Sequence, residues 1–207
     1  MSYDPNLYPE VMPAQPEKET LEGKNKFFGL WFFLGGETVL FASLFGTYLA
    51  LKDSTAGGPS SDEIFGLGLV FFMTMLLLTS SLTSVYAMYH MRNNDFKKMM
   101  LWLGITGLLG IGFLSAEVYE FAHYITEYGF TFQSSAFGSA FFAIVSFHGG
   151  HVIFGIAWLI LLMIRNAKRG LNLYNAPKFN TFSLYWHFVD VIWVFVFTVV
   201  YLMGKVG

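Results

Sequence analysis

Apolar and polar positions along the chain separate into five long apolar runs joined by short polar stretches, the runs covering approximately 27–51, 64–89, 99–123, 136–164 and 181–204. Each exceeds the roughly 20 residues that a helix rising ~1.5 Å per residue needs to cross a hydrocarbon layer about 30 Å thick. The pattern predicts an all-α protein: a polytopic bundle of five transmembrane helices over 27–204, with no room for a second domain. Residues 1–26 carry Pro5, Pro9 and Pro13 and five acids, and read as an extended polar tail. No short apolar stretch with a small-residue cleavage site precedes the first run, so the tail does not resemble a secretory signal.

The bases give the runs a direction. Lys18, Lys24 and Lys26, then Arg92, Lys97 and Lys98, then Arg165, Lys168, Arg169 and Lys178 fall in stretches that alternate spans place on one side, leaving Lys52 and Lys205 for the other. Positively charged loops stay cytoplasmic, which predicts the N-terminus inside and the C-terminus outside. Small residues mark where helices approach closely: Thr79, Ser80, Ser81, Thr83 and Ser84 in the second run, Gly104, Gly107 and Gly110 in the third, Ala42 with Gly46 in the first and Ser146 with Gly150 in the fourth.

Composition narrows the chemistry. Charged residues make up 13% of the chain, against about 25% in soluble domains. Twelve bases against fourteen acids, with no basic block, give no sign of a nucleic-acid partner. The absence of Cys removes disulfides, thiolate metal sites, iron–sulfur clusters and cysteine nucleophiles. Carboxylates and histidines remain, and eight of them fall inside the runs: Glu37, Glu117, Glu120, His123, His148, His151, His187 and Asp190. An ionisable group in hydrocarbon is costly unless paired or turned toward protein, so each is a candidate.

Counted from the cytoplasmic ends, Glu37, Asp190 and His151 lie about 15, 14 and 20 Å deep, His187 about 9 Å and Glu117 about 27 Å. Glu37, His151 and Asp190 are thus expected near one midplane level, with Glu37 meeting His148 or His151. Glu117, Glu120 and His123 form a separate cluster toward the outer surface. Three readings of the spacing stay open. His148-x-x-His151, His187-x-x-Asp190 and Glu120-x-x-His123 each put two metal-ligand types on one helix face, but the paired Glu-x-x-His helices of a di-iron bundle are incomplete, and no clearly matching histidine completes a bis-histidine haem. Buried carboxylates also suit a proton or ion pathway, although the internal repeats and broken helices of a transporter are missing. Polar groups locking helices together are the third and favoured reading.

Four stretches say more than their spacing. Trp31-Phe32-Phe33-Leu34-Gly35-Gly36-Glu37, Glu117-Val118-Tyr119-Glu120-Phe121, Phe147-His148-Gly149-Gly150-His151-Val152-Ile153-Phe154-Gly155 and Tyr185-Trp186-His187-Phe188-Val189-Asp190-Val191-Ile192-Trp193 resemble, in this order, the signature stretches of subunit III of haem-copper terminal oxidases. Larger members of that family have seven spans, a pair and a five-helix bundle separated by a lipid-filled cleft; the chain resembles the short bacterial form that keeps the five. The resemblance implies a subunit of an aerobic respiratory oxidase that holds no redox metal and no catalytic residue, in a bacterial plasma membrane. It implies haem and copper in partner subunits, subunit I as main neighbour with subunit II and a small subunit IV beside it, bound phospholipid, and a role in sustaining subunit I and its proton uptake. Glu37 matches the family's carbodiimide-reactive carboxylate, and Glu117, His148, His151, His187 and Asp190 match its other polar signature positions, with Glu120 one turn on from Glu117. The wording of Leu21-Glu22-Gly23-Lys24-Asn25-Lys26 and of residues 165–174 is most similar to cytochrome c oxidases of the caa type. A quinol oxidase subunit is the alternative; a stand-alone proton or solute carrier and a bis-histidine electron carrier are more distant rivals.

Overall fold

The computed structural model describes residues 12–13, 15–168 and 170–206. Residues 1–11 and 14 of the expected tail, and Arg169 of the charge pattern, lie outside the described residues. Among those described, every regular element is helical: α1 (Leu21–Leu51), α2 (Ser61–Ile64), α3 (Leu67–Arg92), α4 (Phe96–Tyr128), α5 (Ala136–Asn166), α6 (Ala176–Phe195) and α7 (Met203–Val206), with a π-helical segment Val196–Leu202 between the last two. Five helices are long and apolar enough to cross a membrane, the fifth being Ala176–Lys205.

Two helices, α1 and α4, start ahead of their apolar runs where polar side chains cap them. α1 starts at Leu21, inside the expected tail, because the Thr20 hydroxyl accepts the Gly23 N–H at 3.0 Å and Glu22 pairs with Lys26 one turn on. The tail's described end is not extended: Pro16–Lys18 forms a 3-10 turn, and buried Glu17 accepts from the Asn180 side-chain amide at 2.9 Å. The second span begins at Leu67 rather than 64, since Phe65 and Gly66 are extended between α2 and α3. α4 begins beside Asp95, whose carboxylate accepts the Lys98 N–H at 3.2 Å. The Lys98 ammonium, 2.9 Å away, holds that carboxyl below the usual aspartate range. α4 ends at Gly129 with φ +60°, a left-handed stop that only glycine adopts freely.

α1, α5, α4, α3 and α6 touch in that order around a closed ring, with α5 also meeting α6 across it. α1 docks through a narrow stripe, Leu30, Leu34, Phe41 and Tyr48, and exposes most of its remaining surface. The ring closes around Trp186 and Trp193 of α6, both almost wholly buried. Trp186 lies in a notch between two glycines: an added Cβ would stand 2.9 Å from the indole at Gly110 of α4 and 2.8 Å at Gly155 of α5. Its indole N–H donates to Ser80 Oγ of α3 at 3.0 Å, and that of Trp193 to Thr74 Oγ at the same distance. Leu159 of α5 packs on Gly107, so the glycine row of α4 brings helices together as expected.

The hydroxyls of α3 act likewise: Thr83 bonds Thr106 of α4 at 2.8 Å and Ser84 bonds Ser183 of α6 at 3.0 Å. Two expected small-residue contacts do not form. Ala42, Gly46, Ser146 and Gly150 are exposed, and neither glycine has an atom within 4 Å of where its Cβ would be. The docking stripe of α1 turns that face away from its own bundle.

Gly155→Val should drive the Trp186 indole off its seat and cost about 1–3 kcal/mol, read as a lower thermal transition of the detergent-solubilised protein. Gly68→Ala, at an exposed position with open space around it, should leave the transition unchanged. Equal behaviour of the two would show that the notch does not hold the ring closed.

Candidate functional site

Polar side chains inside the bundle form two groups. The first is lateral. Glu37 extends from α1 to His151 of α5, with Oε2 and Nε2 3.0 Å apart. His151 Nδ1 lies 2.8 Å from the Phe147 carbonyl oxygen. A carbonyl can only accept, so Nδ1 carries a proton, and Nε2 either accepts a proton from Glu37 or donates one to it. Either way the pair shares a proton and is neutral as a unit. The two side chains keep 17% and 13% of their surface, so the pair is shielded but not sealed. Beside it a groove of about 370 Å³ runs between Phe33, Ser146, Gly150, Phe154 and Tyr185, and the Tyr185 hydroxyl donates to the His151 carbonyl at 2.9 Å. Of the two histidines expected to meet Glu37, His151 does. Asp190, expected at the same level, is not joined to them.

The groove leads past Phe154 and Trp158 to a larger cavity of about 750 Å³ at the end of the bundle where α1 begins. Lys26, Arg165 and Lys178 line it together with Glu22, which pairs with Lys26, and Leu30, Phe33 and Leu161 add an apolar wall. Three bases against one acid leave the polar side of the cavity net positive, beside an apolar wall. Sequence reading used these three bases only for topology; their convergence comes from three separate helices.

The second group is axial. Glu120 of α4 is fully buried and accepts from the Tyr124 hydroxyl at 2.9 Å and the Tyr201 hydroxyl at 2.7 Å. One turn earlier, the Glu117 carboxyl lies against Gly149 of α5, where an added Cβ would stand 2.7 Å from both its oxygens. The neighbouring His148 is entirely buried, its ring 5.8 Å from Phe113 and 5.2 Å from Trp193. Asp190 follows on α6 between the two tryptophans. Ser81 of α3 lies beside it, its hydroxyl 2.5 Å from His187 Nδ1. His187 Nε2 in turn faces Ser183 at 3.4 Å. Glu117 Oε1, both nitrogens of His148 and both oxygens of Asp190 are buried without a hydrogen-bond partner.

Each i,i+3 pair proposed for metal binding is therefore split. His148 faces the core and His151 faces α1; Glu120 is buried while His123 is exposed and stacked on Tyr119; His187 is held by serines and Asp190 is not. Among the described residues, no three His, Asp or Glu side chains gather as metal ligands. The expected outer cluster keeps Glu117 and Glu120, loses His123, and gains Tyr124 and Tyr201. No spacing rule links Tyr201 to Glu120, 81 residues away.

The chain is 70% identical over 198 residues to cytochrome c oxidase subunit 3 of Bacillus subtilis (strain 168), covering 96% of each chain. It is 68% identical over 208 residues to cytochrome c oxidase subunit 3 of Bacillus sp. (strain PS3), covering the full length of both. Quinol oxidase subunit 3 of Bacillus subtilis (strain 168) is 47% identical over 195 residues, or 94% of each chain. Residues 19–205, the whole five-helix bundle with its axial and lateral polar groups, match the family described as cytochrome c oxidase subunit III, and the chain belongs to that family.

Proposed function

We propose that the chain is the non-redox subunit III of a proton-pumping respiratory oxidase that takes electrons from cytochrome c and reduces oxygen to water. The observation that carries this reading is the identity margin, 61–70% to cytochrome c oxidase subunits against 44–47% to quinol oxidase subunits over nearly the same length. Haem and copper belong to partner subunits in this reading, where they supply electron transfer and oxygen chemistry. What this chain supplies is shape and a proton-sharing pair. Its buried polar side chains gather in the lateral and axial groups, while the face bearing Trp31, Phe32, Gly36, Ala42 and Gly46 on α1 is exposed and largely apolar or small, as suits a helix docking closely on another protein.

The bundle sits in the plasma membrane with its N-terminus in the cytoplasm, on the strength of the loop bases. In that orientation Lys26, Arg165 and Lys178 open the 750 Å³ cavity toward the cytoplasmic leaflet, and a phospholipid held there steadies α1 against α5. Subunit I is the main neighbour, with subunit II and a small subunit IV near it. Glu37 and His151 support proton uptake into subunit I by holding one exchangeable proton at mid-membrane depth. Residues 27–204 act as one bundle in this role.

Purification of the native complex, with its haem spectrum and a donor assay, tests the assignment. Oxygen consumption should run on reduced cytochrome c, and a complex active on quinol alone would move the chain to the quinol branch. Glu37→Gln keeps the hydrogen bond to His151 but removes the shared proton. The variant complex should assemble and begin turnover near the normal rate, then lose activity sooner during sustained turnover. Outright loss of oxygen reduction would overturn the non-catalytic assignment.

A further inference from the structure

The residues Val196–Leu202 wind as a π-helix between α6 and α7. At their start the chain is regular, the Val196 N–H donating to the Ile192 and Trp193 carbonyls. At their end the Met203 N–H reaches back five residues, to the Thr198 carbonyl. The wide turn holds one residue more than an α turn, so every side chain after it is displaced around the helix axis. Such turns are rare and, where found, often lie at functional sites.

The displacement decides what faces the interior. Two regular turns take about seven residues, so in an unbroken α-helix Val200 would follow Trp193 on one face and Tyr201 would stand about 80° past it. With the extra residue Tyr201 takes the place on that face, its ring 6.1 Å from that of Trp193. There it is wholly buried, packs on Phe65 and Phe141 with centroids 5.0 and 5.8 Å apart, and donates to Glu120 at 2.7 Å. α1 holds the same turn through the Tyr48 hydroxyl, which donates to the Val200 carbonyl at 3.1 Å. Beyond the turn, α7 meets α2. An added Cβ at Gly204 would stand 3.0 Å from the Phe65 ring, and the Lys205 ammonium donates to the Asp62 carbonyl.

We propose that this turn is a register switch linking the buried carboxyl of Glu120 to the end of the bundle where α7 meets α2. In one register the π turn brings Tyr201 to Glu120 and Gly204 to Phe65. In the other, residues 196–202 are α-helical and Val200 faces the interior. Glu120 then loses one of its two hydroxyl donors, and α7 is turned off α2 by one residue's rotation, about 100°. The Tyr201 ring and its bond hold the first register against the ordinary preference for α-helix. The coupling is reciprocal: a partner that draws α7 from α2 frees Glu120 of Tyr201, and a change at Glu120 turns α7. This does not depend on which donor the oxidase uses.

The distance between two spin labels in the full-length chain reads the register, and the sequence has no cysteine of its own to interfere. The labels go on Met203→Cys and Val118→Cys, both at exposed positions. Tyr201→Val puts valine at 200 and 201 alike, so the interior no longer favours the π turn. The distance should then change by several ångströms, as for a side chain carried about 100° around a helix about 10 Å wide. Deleting Thr198, an exposed residue whose hydroxyl bonds the Val194 carbonyl, removes the extra residue. The distance should stay at the value of the unmodified chain, and should stay there when Tyr201→Val is added. An unchanged distance in Tyr201→Val alone, or the same change in both backgrounds, overturns the proposal. Thermal unfolding gives a second reading that needs no label. Loss of Thr198 should leave the transition near that of the unmodified chain, whereas loss of Leu82, exposed on the regular helix α3, should lower it sharply. Equal damage from the two deletions overturns the proposal.

Discussion

Hydrocarbon supplies no hydrogen-bond partner, so every polar side chain carried into it must be satisfied by its own helix, by another helix or by bound water. The arrangement of this bundle follows from that requirement. Serines and threonines on α3 bond across to α4 and α6, and the indole N–H groups of Trp186 and Trp193 reach hydroxyls of α3. The bonds to Ser183, Trp186 and Trp193 hold α6 against α3. Van der Waals packing then decides how tightly the ring closes, since apolar attraction between helices is no stronger than their attraction to lipid tails. Gly110 and Gly155 matter because they let a full indole occupy the space where side chains would otherwise keep the helices apart.

The same requirement separates the polar groups by role. Glu37 and His151 satisfy one another across α1 and α5 and keep a little of their surface open. Glu120 is bonded by two tyrosines from different parts of the chain and is sealed behind aromatic rings. Glu117, His148 and Asp190 fall between these cases, buried yet unpaired. The bases that could have neutralised them lie at or beyond the helix ends.

Much of this was legible in the residues. Five apolar runs, the candidate acids and histidines, the glycine row of α4 and the hydroxyls of α3 could be read directly, because hydropathy and residue size act locally. The four signature stretches carried the family. Helix ends were less legible: Thr20 and Asp95 extend α1 and α4 beyond the apolar runs through capping bonds that hydropathy does not register. Small-residue pairs misled at Ala42–Gly46 and Ser146–Gly150, because such pairs mark a face fit for close approach without saying whether the partner lies in the same chain.

Sequence by itself determined the number of spans, the candidate polar residues and the family, all properties of short stretches read one at a time. Tertiary structure decided which of those residues meet. Equal depth did not bring Asp190 to Glu37, since α6 buries that carboxyl beside Ser81 of α3, and three-residue spacing did not make ligands of His148 and His151, since neighbouring helices lie on both sides of α5. Tyr201 reached Glu120 across 81 residues only because the π-helical segment after α6 packs beside α3 and α5. Depth along a helix follows from counting residues, but the direction a side chain faces is set by the rotation of each helix against its neighbours, and that rotation is fixed by packing.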